Sequence, residues 1–91
     1  MPELTLTLYS SSFCGACRST RRQLDRVEQL LPGRVRIREI NVADDPERAE
    51  AAAVTSTPTV LIEDGAGQEI SRAHGVPTVD QVLSAVARAL P

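Results

Sequence analysis

The chain has no lysine and no tryptophan, a single phenylalanine, a single tyrosine and a single histidine, and cysteine occurs only twice. Without lysine there is no lysine base and no lysine Schiff base. With aromatics at 2%, the core must be built from Leu, Val, Ile and Ala. All ten basic residues are arginine, and the formal net charge is -2. That balance gives no overall field favouring nucleic acid or an anionic membrane as a partner. No apolar run reaches the ~18 residues of a membrane span, so no transmembrane helix is predicted. The first residues, Met1-Pro2-Glu3-Leu4-Thr5-Leu6, contain neither a basic segment nor a long apolar one. No secretory signal is expected, and the default compartment is the cytosol, cytoplasmic rather than exported. Thiols are kept reduced there, so a persistent structural disulfide is not expected. Internal repeats, linkers and low-complexity segments are lacking as well.

What is present suits one small globular domain, residues 1–91, with 42% apolar and 24% charged residues. A chain of this size buries about 60–65% of its unfolded surface and has little spare stability. Leu4, Leu6 and Leu8 alternate with Thr5 and Thr7, the period of a strand, and Tyr9 to Phe13 break the pattern. From Cys14 to Leu31 the apolar residues Cys17, Leu24, Val27, Leu30 and Leu31 have helical spacing, ended by Pro32-Gly33. Val35, Ile37, Ile40 and Val42 predict a second strand with a change of phase near Glu39. Asp44-Asp45-Pro46 predicts a helix start, an acidic cap followed by proline, leading into a short helix from Glu47 to about Ala53. Thr59 to Ile62 and Gln68 to Arg72 predict a hairpin around Asp64-Gly65-Ala66-Gly67. Thr78 caps a last helix with the stripe Val79, Val82, Leu83, Val86 and Leu90. The order βαβ-α-ββ-α predicts an α/β fold. Strands one and two run parallel, strands three and four antiparallel, in a mixed four-stranded sheet with helices on both faces.

The two cysteines form Cys14-Gly15-Ala16-Cys17 at the junction of the first strand and the first helix. A C-x-x-C pair in that context reads as a thiol–disulfide redox site. At the first helical position, Cys14 would meet unpaired backbone N–H groups and the positive end of the helix dipole, both of which favour a thiolate. Cys17 lies one turn deeper on the same face, its Cα about 5–6 Å away and within disulfide reach. Cys14 is therefore the expected nucleophile and the more buried Cys17 the resolving thiol. Gly15 and Ala16 are small enough to leave Cys14 open to a peptide or protein disulfide. A zinc site needs four ligands, and His74 is the only other strong donor, far off in sequence. No metal site within one chain, and no bound cofactor, is expected.

Arg18, Arg21 and Arg22 follow the motif. Arg18 is closest to the thiols and can supply a local positive charge. Arg21 and Arg22 read as a solvated face paired with Asp25 and Glu28. Ser10 to Ser12 are expected to form the loop and cap the helix. Tyr9 reads as packing at the strand end, and His74 as a surface or strand-end residue. Glu39 and Asp44 have no legible partner.

Tyr9-Ser10, Cys14-Gly15-Ala16-Cys17, Asn41-Val42, Asp45-Pro46, Val54, Thr57-Pro58-Thr59 and Gly75 together resemble the thioredoxin and glutaredoxin superfamily across nearly the whole chain. The resemblance implies a thioredoxin-like fold. It also implies that Pro58 is a cis-proline beside the cysteine pair that keeps metals away. Thr57 would pair its backbone with a bound peptide, and Phe13, Gly15, Ala16, Arg18, Val54 and Gly75 would complete the substrate groove. Leu8-Tyr9-Ser10 resembles the glutaredoxin branch; the Cys-Gly-x-Cys and Gly75-Val76-Pro77-Thr78 resemble thioredoxins. Phe13 stands where thioredoxins carry tryptophan, Ala16 where they carry proline, and Leu8 where they carry a buried acid. The stretch His74 to Asp80 lacks the double glycine with which glutaredoxins grip glutathione.

The expected function is a monomeric thiol–disulfide oxidoreductase that reduces protein disulfides, its electrons coming from a reductase or a small thiol. Two alternatives stay open. One is glutaredoxin-like reduction of mixed disulfides with a low-molecular-weight thiol. The other is a non-enzymatic binding module, or a metal or cluster site shared between two subunits.

Overall fold

The computed structural model describes residues 2–90. Met1 and Pro91, the outermost residues of the single domain expected from the sequence, lie outside the described residues. The Leu/Thr alternation forms β1 (Leu4–Ser10), which continues past the expected break through Tyr9 and Ser10. It runs parallel to β2 (Val35–Asn41) in continuous register from Leu4↔Val35 to Ser10↔Asn41. On its other side β1 is antiparallel to β3 (Thr59–Asp64), and β3 pairs antiparallel with β4 (Glu69–His74). The sheet order is β2-β1-β3-β4, so β1 is central.

Helix α1 (Gly15–Leu30) packs with α3 (Val79–Ala89) on one face of the sheet, and the six-residue α2 (Pro46–Ala51) lies on the other. The first face carries the main core, with Leu4, Leu6 and Leu8 of β1 against Leu24, Val27, Val82 and Val86. The second holds a smaller cluster of Tyr9, Ala49 and Leu61, edged by Ile40, Val42 and Val54. This explains the change of phase in β2. The register has no break, but Val35 and Ile37 serve the α1 face while Ile40 serves the α2 face. Successive strand residues alternate faces, so one unbroken strand can supply both.

Several element limits differ from expectation. Cys14 lies just outside α1, as its cap, and β2 ends at Asn41 rather than Val42. The second helix starts at Pro46, capped by Asp45, and ends at Ala51. The fourth strand runs Glu69–His74, because Ala73 and His74 pair with Val60 and Thr59. Leu30 is exposed, and the buried stripe of α1 is Cys17, Thr20, Leu24 and Val27. Thr20 is tolerated there because its hydroxyl donates to the Ala16 carbonyl at 2.9 Å. Helix α3 starts as expected, with Thr78 and Gln81 forming a reciprocal capping box. No helix among the described residues is long and apolar enough to cross a membrane.

Candidate active site

Four residues link the end of β1 to the start of α1, and they hold the first cysteine. Cys14 has extended backbone (φ -107°, ψ 104°), and its Sγ accepts the Cys17 N–H at 3.0 Å. The cysteine sulfur is thus the helix cap, a role expected of the serines. Cys14 and Cys17 are joined in a disulfide, with Cα atoms 5.2 Å apart. Cys14 is half-buried, whereas Cys17 is 1% exposed and faces the core. Of the two residues, only Cys14 keeps appreciable exposed surface.

Phe13 precedes the pair with φ +58° and a side chain fully in solvent. The left-handed region is unusual for a bulky residue and costs roughly 1–2 kcal/mol. The turn that aims Cys14 outward also presents this ring. Gly15 and Ala16 are exposed, and a Cβ built on Gly15 would meet nothing within 4 Å. Arg18 is exposed in the first turn, and its amide donates to the Cys14 carbonyl at 3.2 Å.

The three serines moor this link instead of capping the helix. Ser10 Oγ donates to Glu39 at 2.8 Å, and Asn41 Nδ2 donates to Ser12 Oγ at 3.3 Å. The first ties the end of β1, and the second the link itself, to β2. The Ser11 and Thr57 hydroxyls meet at 2.8 Å, tying the link to the loop before β3. Thr57-Pro58 is a cis peptide bond, and Pro58 is buried. The Gly75 amide donates to the Pro58 carbonyl at 3.0 Å, from a turn in which Gly75 has φ +78°. The cysteine link, the Thr57-Pro58 loop and Gly75 are therefore joined by direct hydrogen bonds. Val54 is joined less closely. It is half-buried against the Tyr9, Ala49 and Leu61 cluster, with its amide on the Ala49 carbonyl at 2.9 Å.

Arg21 does not pair with Asp25 or Glu28. Its guanidinium donates twice to Glu39, at 2.6 Å each. Glu39 thereby gains the partner its sequence context did not show. The Arg21 hydrogen bond, supported by Ser10, holds the Glu39 carboxyl below its ordinary range despite partial burial. Leu8, where an acid was missing, lies directly beside Glu39 in the register and is sealed in the core. Arg22 is exposed, as a solvated face requires. Tyr9 is buried, and His74 ends β4 with Nδ1 3.3 Å from the Thr59 hydroxyl. Sequence reasoning missed Ser11, Glu39 and Asn41 as parts of the site, because their partners lie 46, 29 and 29 residues away. Among the described residues, no group of three or more His, Cys, Asp or Glu side chains is placed to hold a metal ion.

The chemistry available is reversible exchange between a dithiol and a disulfide. Residues 2–88 match the family described as Thioredoxin. Over 90 residues the chain is 27% identical to thioredoxin of Methanocaldococcus jannaschii, covering 99% of this chain and 100% of that protein. Over 59 residues it is 39% identical to NADPH-dependent thioredoxin reductase 3 of Arabidopsis thaliana. That match covers 65% of this chain and 11% of that protein. The fold is also that of Fasciola hepatica thioredoxin, with a TM-score of 0.82, 22% identity and coverage of 94% and 80% of the two chains.

Proposed function

This chain belongs to the thioredoxin family and is a thiol–disulfide oxidoreductase of that type, and we propose that Cys14 attacks protein disulfides while Cys17 resolves the mixed disulfide. The observation that carries the assignment is the unequal exposure of the two cysteines, half-buried for Cys14 and 1% for Cys17. In the reduced protein the Cys14 thiolate attacks one sulfur of the substrate disulfide. A new S–S bond forms, and the other substrate sulfur leaves as a thiolate. Cys17 then loses its proton and attacks Cys14 Sγ, expelling the second substrate thiolate and closing the Cys14–Cys17 disulfide. Two electrons pass to the substrate, and a reductase or small thiol returns them. Similarity to a protein named as a thioredoxin reductase supports a reductase as the donor.

The Cys17 N–H that caps on Cys14 Sγ would stabilise the attacking thiolate. Phe13, Gly15, Ala16 and Arg18 form the near side of the substrate groove in this reading. Thr57, Pro58 and Gly75 form the far side, and Val54 supports the far side from beneath. The partners are disulfide-bearing proteins, the chain acts as a monomer in one domain, and the cytoplasm, where thiols stay reduced, is its compartment. The test is insulin reduction with dithiothreitol as the electron source. The chain should accelerate precipitation of the insulin B chain, Cys14→Ser should not, and Cys17→Ser should accumulate a mixed disulfide. Wild type performing no better than Cys14→Ser would overturn the assignment.

A further inference from the structure

The link between β1 and α1 is moored in two directions. Ser10 and Ser12 bond to Glu39 and Asn41 of β2, on one side of β1. Ser11 alone reaches the other side, where its hydroxyl meets that of Thr57 at 2.8 Å. Because β2 and β3 flank β1, the Ser11 bond is the side-chain tie that spans from the link bearing Cys14 to the loop entering β3. Around Thr57 the polar groups are occupied. The Ser56 carbonyl accepts from the Thr59 hydroxyl at 2.8 Å, and the Pro58 carbonyl accepts the Gly75 amide at 3.0 Å. Among the described residues, the Thr57 N–H and C=O take part in no backbone hydrogen bond. Its side chain is anchored while its backbone pair is left open.

We propose that the Ser11–Thr57 hydroxyl bridge is a positioning device that fixes the open backbone pair of Thr57 relative to Cys14 Sγ. It thereby favours extended peptide disulfides over small ones. The inference rests on the function proposed above. A peptide that engages both points must bond to Thr57 as an added strand would while its disulfide lies in line with Cys14. Misplacing either point by a fraction of an ångström costs rate. A small disulfide needs only Cys14 and is indifferent to the spacing. The bridge also keeps the Thr57 hydroxyl from bonding to nearby backbone, which short hydroxyl side chains otherwise do. Ser11 and Thr57 are positioning residues here, since neither touches the reacting sulfurs.

The test is a double-mutant cycle with Ser11→Ala, Thr57→Val and the pair combined, read as kcat/KM for insulin and for 5,5′-dithiobis(2-nitrobenzoate). Each single change should lower kcat/KM for insulin by about three- to tenfold, the size of one net hydrogen bond. The double variant should fall no further than the worse single one. In Ser11→Ala, turnover of the small disulfide and the midpoint potential should stay at wild-type values, and Thr57→Ser, which keeps the hydroxyl, should retain the insulin activity that Thr57→Val loses. Additive losses, equal losses on both substrates or no loss would each overturn the proposal. If Ser11→Ala does not fold, the insulin kcat/KM of Thr57→Val against that of Thr57→Ser tests the hydroxyl bridge without altering the Cys14 link, and equal values for the two would overturn the proposal. A wild type inactive on insulin would instead count against the underlying function.

Discussion

Phe13 holds a left-handed backbone at φ +58° and places its ring fully in solvent. Removing that ring forfeits no buried area, so the folding cost of replacing it is a backbone matter. Glycine would relieve about 1–2 kcal/mol of left-handed strain and lose about 0.4–1 kcal/mol to a freer unfolded chain. Phe13→Gly is therefore expected to leave stability unchanged or slightly raised in urea denaturation. Reduction of insulin should fall several-fold while the midpoint potential holds. A potential that moved with the activity would mean that Phe13 acts on the cysteine pair rather than on the substrate. The resemblance already placed Phe13 in the substrate groove, but its left-handed backbone was not visible in the residue's identity. An aromatic before a C-x-x-C is equally compatible with packing in the core, and the full exposure of the ring decides.

Helix α2 is too short to hold itself, as isolated helices below about 12–15 residues are marginal. It is braced from β4. The Arg72 guanidinium donates to the Ala52 and Ala53 carbonyls at 2.7 and 3.3 Å, just where Ala53 turns with φ +56° toward the Thr57-Pro58 loop. Glu69 holds Arg72 through bonds of 2.6 and 2.7 Å, and that contact lowers the Glu69 carboxyl from its ordinary value despite slight burial. A carboxyl with a folded pKa below its unfolded one stabilises the fold above the unfolded value. It loses that contribution as pH falls through the folded value. Urea midpoints should therefore drop on acidification through and below the carboxylate range, and drop less in Glu69→Gln. Identical pH profiles would show that the brace does not depend on the charge of Glu69. Elements of this kind explain what the sequence could reveal. Alternation in β1 and helical spacing in α1 and α3 are local and were readable. The exchange of Leu30 for Thr20 in the buried stripe, and the extra length of β4, depend on what packs opposite. No local pattern records that.

Across the molecule, the aliphatic core promised by the scarcity of aromatics is realised as one cluster under α1 and α3 and a smaller one under α2. Leu24 sits in the larger cluster with no exposed surface. Leu24→Ala should destabilise by about 2–5 kcal/mol, a large part of the 5–15 kcal/mol typical of a small domain. Chemical denaturation would measure it, and a loss below about 1 kcal/mol would mean the core closes around the gap. The cysteine pair is anchored in the interior through Cys17, which is buried on the same stripe of α1 as Leu24. The site's position was legible because a C-x-x-C at a strand-to-helix junction is a local signal, and the resemblance of Thr57-Pro58 and Gly75 to a known family pointed to the loop and turn hydrogen-bonded to it. What was not legible is how these segments are joined. Ser11 to Thr57, Ser10 to Glu39 and Arg21 to Glu39 are contacts between hydroxyl or charged groups 18 to 46 residues apart, and each becomes a contact only through the sheet order.

The sulfur of Cys14 has two duties, since it performs the exchange and also caps α1 through the Cys17 amide. Reactivity and scaffold are therefore not separable by deletion at this position. Alanine would remove both at once, and any inactivity it produced would be ambiguous between lost chemistry and a frayed helix. Serine is among the preferred N-cap residues, and its oxygen can take over the amide while being unable to form a disulfide. Of the two substitutions, only serine silences the chemistry and leaves the architecture standing.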